Sequence, residues 1–274
     1  MAIKIITDST AYIPKEYAKE HDIDVVQLTV SFNNEVMEEG YPGEFEDFFK
    51  KLKESTEFPK TSQPSTGAFV NAFEKAIKEG KEIITIVVSE KASGTYNNAI
   101  LAAGMVDKDK ISVIDSQTSG PNLRILVERA KELSNLGKCR KDIVDIINKE
   151  KKNMSVQMTF ETLEYLKKGG RLSPSKVVIG SILNIKPIIG VENGYILPIG
   201  KARGKKKAIE FMINNIPDNV KKISVCHILS FEEAFRIKEV LKEKFSNAVI
   251  NIDEVGPVLG AQFGPKGIGI CCSW

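Results

Sequence analysis

Three short stretches collect the hydroxyls, amides and carboxylates that could handle an anionic group. Ile83–Val88 is continuously apolar and β-branched, the pattern of a strand buried on both faces, and Ser93-Gly94-Thr95 follows it just before a helical run through Ala103. A helix N-terminus presents unpaired N–H groups and a partial positive charge. Glycine lets a ligand approach the backbone closely, and hydroxyls add donors. The stretch therefore reads either as a seat for a phosphate or carboxylate or as a plain N-cap in which Ser93 serves its own helix. A second polar stretch, Pro59-Lys60-Thr61-Ser62-Gln63-Pro64-Ser65-Thr66-Gly67, reads as an ordered loop and not as a strand or helix interior. Asp8-Ser9 and Asp115-Ser116 end two further apolar runs. Those carboxylates suggest acid–base work or a magnesium site in one reading and loop capping in the other; capping is the simpler role.

The elements that must carry these stretches alternate along the first half of the chain. Strands are expected at 3–7, 25–30, 83–89 and 111–114. Helices are expected from Pro14 to about 21, over 44–54, 67–79 (stopped by Gly80), 121–136 and 140–151. Asn33-Asn34 could turn a short hairpin. Such alternation implies a mostly parallel sheet with helices on both faces, which binds ligands beyond the carboxyl ends of its strands. The second half has another rhythm. A short helix over Phe160–Lys168 stops at Gly169-Gly170, and a further helix runs from Ser173-Pro174 to about 183. A hairpin turns at Asn193-Gly194 between strands 185–191 and 195–200. A basic helix begins near Arg203; then come a strand at 221–229, a helix at 231–245 and strands near 248–254 and 266–272. The fold class expected is α/β: an N-terminal α/β domain over 1–155, then a C-terminal α+β domain with an antiparallel sheet over 156–274.

Composition narrows the function classes. The 274 residues carry 39 Lys+Arg against 36 Asp+Glu, too even a balance for generic nucleic-acid binding. The basic run Lys201–Lys207 has no interleaved aromatics; it reads as a solvated face or as a docking patch for an acidic partner or phosphate. The most apolar region, Val177–Val191, is interrupted by Asn184, Lys186 and Pro187, so no membrane span is expected. Met1-Ala2-Ile3-Lys4 leads straight into a strand, and Cys139, Cys226, Cys271 and Cys272 have no C-x-x-C spacing. These features point to the cytoplasm, with no metal and no cofactor. Ser93 could serve a hydrolase or a phosphotransfer enzyme, but no G-x-S-x-G surrounds it, no phosphate-binding glycine loop is complete, and neither His21 nor His227 has a motif placing it nearby. No catalytic residue is assigned.

Several stretches together resemble the DegV family of bacterial fatty-acid-binding proteins. They are Ile6–Ala11, Pro59–Ser65, Ser93–Ala99, Val113–Ser116, Thr162–Arg171, Leu183–Ile188, Lys201–Ala208 and Gly256–Gly260, in the expected order over essentially the whole chain. The resemblance implies a non-enzymatic carrier that holds a long-chain fatty acid, such as palmitate or oleate, between two domains, for presentation to a separate fatty-acid kinase or for lipid transport. It implies carboxylate contacts at Thr61 and Ser93, with Ser62 and Gly94 beside them. It places Arg203 near the head group and Arg171 on the kinase-facing surface. The family's Thr-His-Thr-Gly-Pro is here Ala261-Gln262-Phe263-Gly264-Pro265, with Gln262 in the histidine's place. A head-group site without histidine is expected to give a fatty-acid affinity nearly flat between about pH 6 and 8.

Overall fold

The structure, a computed structural model, describes residues 2–32, 35–55, 57–172 and 184–274. In chain order the strands and helices of the first half are β1 (Ile3–Asp8), α1 (Lys15–Glu20), β2 (Ile23–Val26), β3 (Thr29–Phe32), β4 (Glu35–Glu38), α2 (Glu46–Glu54), β5 (Lys60–Ser62), α3 (Thr66–Lys78), β6 (Glu82–Val87), α4 (Thr95–Val106), β7 (Ile111–Asp115), α5 (Gly120–Asn135) and α6 (Arg140–Glu150). The second half holds β8 (Met154–Thr159), α7 (Glu164–Gly169), β9 (Ile185–Glu192), β10 (Tyr195–Arg203), α8 (Lys205–Asn214), β11 (Lys222–His227), α9 (Phe231–Lys244), β12 (Val249–Glu254), α10 (Pro257–Phe263) and β13 (Ile268–Ser273).

The alternating half forms the expected parallel sheet, ordered β2-β1-β6-β7. Successive residues of a strand face opposite sides, and both sides are apolar here. Ile84 and Ile86 of β6 pack with Leu123, Leu126 and Ile143 of α5 and α6. Ile83 and Val87 pack with Phe69 and Phe73 of α3 and Ala102 of α4. The second half forms a six-stranded sheet, β10-β9-β8-β13-β11-β12. It is antiparallel except for the parallel β11–β12 pair, so it is mixed rather than purely antiparallel. The helix α9 crosses over between those two parallel strands, a connection that a hairpin cannot make. Asn193 and Gly194 turn the β9–β10 hairpin with φ of 48° and 83°, the left-handed pair that a tight two-residue hairpin requires.

Several readings differ from the sequence expectation. The single strand expected over 25–30 is two, β2 at the edge of the parallel sheet and β3 outside that sheet. Thr61 lies on a strand: β5 pairs with β3 in a third small sheet, β4-β3-β5, with Thr61 opposite Val30. Pro59 and Pro64 bracket this three-residue strand, outside its ladder, so they do not forbid it. The helix expected from Phe160 starts at Glu164, because Phe160 is buried and stacked on Phe263 at 5.0 Å. Strand β8 and helix α10 were not anticipated. The Asn33-Asn34 turn and the helix from Ser173-Pro174 fall outside the described residues, although β3 and β4 do pair antiparallel.

The core that positions the site draws on both large sheets. Val156, Met158 and Ile189 of the six-stranded sheet share it with Val30 of β3, Phe48 and Phe49 of α2, and Val258 and Ala261 of α10. Helix α10 approaches α2 closely: a Cβ on Gly260 would stand 2.6 Å from Phe49 Cε1. Gly260→Ala should therefore lower the melting temperature by several degrees, an overpacking cost of about 1–3 kcal/mol. Gly104→Ala on exposed α4, where a Cβ meets nothing within 4 Å, should raise it slightly through helix propensity. Calorimetry of both variants checks the pair; equal shifts would mean that the α2–α10 contact does not limit stability.

Candidate functional site

Helix α10, strand β5 and the loop before α4 converge on one cavity of about 330 Å³. One end is polar, lined by Thr10, Thr61, Ser62, Gln63, Ser93 and Gln262, with Arg171 at its edge. The remainder is apolar: Leu28, Val88, Ile196, Val258, Leu259 and Phe263. An apolar extension shares Val88, Ile196, Leu259 and Phe263 and continues past Val156, Met158, Ile189 and Val191 toward β8 and β9. Beyond the polar end lies a second cleft of about 340 Å³, which shares Thr61, Arg171 and Gln262 and adds Lys60, Lys168, Phe58 and Tyr165. There the Lys168 ammonium sits 3.5 Å from the centre of the Phe58 ring, which packs on Tyr165.

The hydrogen bonds show which donors remain for a ligand. Gln262 donates from Nε2 to Thr61 Oγ1 at 3.1 Å, leaving the Thr61 proton free to point into the cavity. The same glutamine buries Oε1 against Gly169 with no donor among the described residues, and a Cβ on Gly169 would collide with it. Ser93 Oγ lies 2.8 Å from Thr95 Oγ1 and accepts the Thr95 N–H at 3.3 Å. The α4 cap position is Gly94, not Ser93. At Gly94 the end of the Gln63 side chain occupies the space a Cβ would take, so any larger residue there would displace Gln63. Arg171 donates to Ala92 O at 3.3 Å and to Gly169 O at 2.6 Å, which aims its charge across the mouth. Arg203 is exposed at the end of β10 and does not line the cavity, so Arg171 is the guanidinium brought to the polar end.

The two strand-end aspartates are loop caps. Asp8 accepts the N–H groups of Thr10 and Val88, at 2.9 and 2.6 Å, and Asp115 accepts those of Glu90 and Gln117. Because Thr10 and Val88 line the cavity, Asp8 stands directly behind its wall. Burial pushes its carboxyl up to about 6, against the pull of its three hydrogen bonds. A third carboxyl, absent from the sequence reading, is Glu39. It is 3% exposed and accepts bonds from Ser9 Oγ (2.6 Å), Tyr12 Oη (3.2 Å) and the Val258 N–H (2.9 Å). Burial pushes it up to about 7, and the nearby Asp8 charge adds to the rise. Tyr12 holds a left-handed φ of 50°, a strained backbone kept by its surroundings. The only sequence signal for Glu39 was an acid directly after the alternating strand β4 and before Gly40; nothing in that pattern announced burial. Gln63 and Thr10 belonged to stretches already singled out, but not by name.

Chemically, the cavity offers neutral donors at one end and hydrocarbon contact along the rest. Ser93 is bonded to Thr95, and neither histidine is in its reach by any recorded bond: His21 stacks on Tyr17 and His227 packs edge-on against Phe231. Among the described residues no group of His, Cys, Asp and Glu could hold a metal ion, and no helix is long and apolar enough to cross a membrane. In the basic run, Lys205 is engaged by Glu233 at 2.5 Å and by Lys266 O at 3.1 Å.

Similar proteins agree with this architecture. Residues 2–273 match the model of the DegV family (uncharacterised protein, DegV family). A DegV domain-containing protein of Halalkalibacterium halodurans is 36% identical over 278 residues, covering 99% of this chain and 98% of its own. The crystal structure of DegV, a fatty acid binding protein from Bacillus subtilis, superposes with a TM-score of 0.85 at 32% identity over 100% of both chains. A DegV family protein from Thermus thermophilus, described for its fatty acid binding, gives a TM-score of 0.88 at 28% identity over 100% of this chain and 99% of its own. With one family model spanning almost every residue and relatives matched end to end, this chain belongs to the DegV family.

Proposed function

We propose that this chain binds one long-chain fatty acid, with its carboxylate at Thr61, Ser62, Ser93 and Gly94 and its tail along the apolar extension. The observation that carries the reading is the junction of a hydroxyl-lined end with an apolar hollow. A carboxylate leaving water must be fully hydrogen-bonded, and the Thr61 proton, oriented by Gln262, is a donor aimed for that purpose. Binding by the relatives in Bacillus subtilis and Thermus thermophilus supports the same choice of ligand. About fifteen methylenes at ~0.8 kcal/mol each supply ~12 kcal/mol gross, less several kcal/mol for association and ordering. The tail thus dominates affinity, and the hydroxyls fix which end enters.

In this reading residues 1–155 and 156–274 are two domains closing on the ligand, and the chain is a cytoplasmic carrier rather than an enzyme. The basic cleft of Lys60, Lys168 and Arg171 beside the head group is where a fatty-acid kinase would reach the carboxylate. Arg203, outside the cavity wall, is left to partner contact.

Protein purified from bacteria should release near-stoichiometric C14–C18 acid on organic extraction, read by mass spectrometry. Protein that is empty and also fails to bind added palmitate or oleate would refute the assignment. Thr61→Ala and Ser93→Ala should each cost roughly 1.5–3 kcal/mol, about ten- to a hundredfold in Kd, by removing a charge-assisted bond. The fold should survive both changes, since neither residue is a core member. Affinities within threefold of wild type for both variants would place the carboxylate elsewhere.

A further inference from the structure

Glu39 and Asp8 stand behind the cavity wall in different kinds of cradle. Asp8 takes two backbone N–H groups and the Thr10 hydroxyl, and a backbone donor cannot reverse. That cradle suits a carboxylate. Glu39 takes one backbone N–H and two hydroxyls, those of Ser9 and Tyr12. Hydroxyls rotate and also accept. Ser9 Oγ accepts the Leu28 N–H at 3.0 Å and keeps a second lone pair for a Glu39 proton. Glu39 therefore keeps three hydrogen bonds whether charged or neutral: in the neutral state Ser9 accepts its proton and turns its own hydroxyl hydrogen away, while Val258 stays bonded in both states.

The same residue sets where α10 lies. Val258, the second residue of that helix, lines the cavity. A Cβ on Gly256 would stand 2.9 Å from Glu39 Oε1 and 2.6 Å from Tyr12 Cε1, so the helix start is pressed onto this pair. Four residues further on, Gln262 holds Thr61.

We propose that Glu39 is a positioning residue for the head-group end and takes up a proton from solvent when a carboxylate anion binds, so that ligand binding by this chain is proton-linked. The inference rests on the fatty-acid reading above. An anion arriving in front of the wall adds a like charge to a low-dielectric region that already holds Asp8. Moving a proton onto Glu39 removes the repulsion without losing the α10 tether. Burial has already raised Glu39 into the neutral range. The other charges nearby leave that balance in place. Helix α10 carries no ionisable side chain. Glu44 is paired with Lys15 at the surface, at 3.1 Å. Glu254 is raised by its own burial, and the Glu46 charge adds to that rise. Arg171 sits on the far, solvent side of the polar end. Affinity should then strengthen as pH falls from 8 to 6, in place of the flat profile expected from the missing histidine alone.

Titration calorimetry tests the coupling with delipidated protein and palmitate below its aggregation concentration, at pH 7.5 in phosphate and in Tris. The difference in apparent enthalpy between buffers gives the protons taken up. Wild type should take up on the order of half a proton, and Glu39→Gln, whose amide oxygen can still accept from Val258, at least threefold less. Zero uptake in wild type, or the same uptake in the variant, overturns the proposal; absence of any palmitate or oleate binding instead overturns the fatty-acid reading. A ligand-free readout stands beside it. A carboxyl raised from 4.5 to about 7 contributes stability that is complete below pH 4.5 and is lost as pH rises through 7. The melting temperature of wild type relative to Glu39→Gln should accordingly fall from pH 5 to about 7 and level off above it. A pH-independent difference would show that Glu39 does not titrate in this window and would overturn the proposal.

Discussion

Everything at the polar end hangs on how the start of α10 is fastened. A helix leaves its first N–H groups without partners, and α10 does not satisfy them from its own sequence, since no side chain caps it. Glu39, distant in sequence, takes the Val258 N–H instead. A buried carboxylate at a helix start is also favoured by the helix dipole. With that end fixed, Gly260 can seat against Phe49, Phe263 can stack on Phe160, and Gln262 can reach Thr61. One constraint thereby orients a donor, an apolar wall and a packing contact together.

That arrangement explains why the hollow is shared rather than carved into one sheet. The parallel sheet is buried by its own helices on both faces and has no apolar surface left to offer. The six-stranded sheet uses one face for α8 and α9 and turns the other, through Val156, Met158 and Ile189, toward β3, α2 and α10. The cavity forms where that second face meets the strand ends of the parallel sheet. Polar loops are found there because β1 and β6 both finish at this edge, tied together by Asp8 and Val88.

Periodicity made much of this legible. The alternation of β-branched runs with amphipathic helices defined the parallel sheet, and Asn193-Gly194 defined the β9–β10 hairpin of the six-stranded sheet, because both signals are local. Ser93 was legible as a polar residue at a strand end and Thr61 as part of a polar loop, and the structure brings both to one cavity. What escaped depended on long-range contacts. Strand β5 is three residues long and exists only because β3 lies alongside. The helix α10 has three glycines in or beside it and poor propensity; tertiary fastening makes it a helix. Glu39 reads as one acid among many until Ser9, Tyr12 and Val258 surround it. The place given to Arg203 came from resemblance alone, and Arg171 holds the position at the polar end instead.

In the fatty-acid reading proposed above, the distribution of charge favours one orientation of the ligand. Cations stand outside the polar end, at Lys60, Lys168 and Arg171, and carboxyls stand inside it, at Asp8 and Glu39. A head group at Thr61 and Ser93 meets neutral donors with cations behind it toward solvent. The reversed orientation would bring a carboxylate among Val156, Met158 and Ile189, where the lining is almost wholly apolar, at a cost of several kcal/mol at least. The buried carboxyls sharpen the same choice, because they repel an anion that goes deeper than the hydroxyls. Their retention behind an anion site is thus compatible with binding so long as each keeps its own donors, and Glu39, held by hydroxyls that can turn, is the one built to give way.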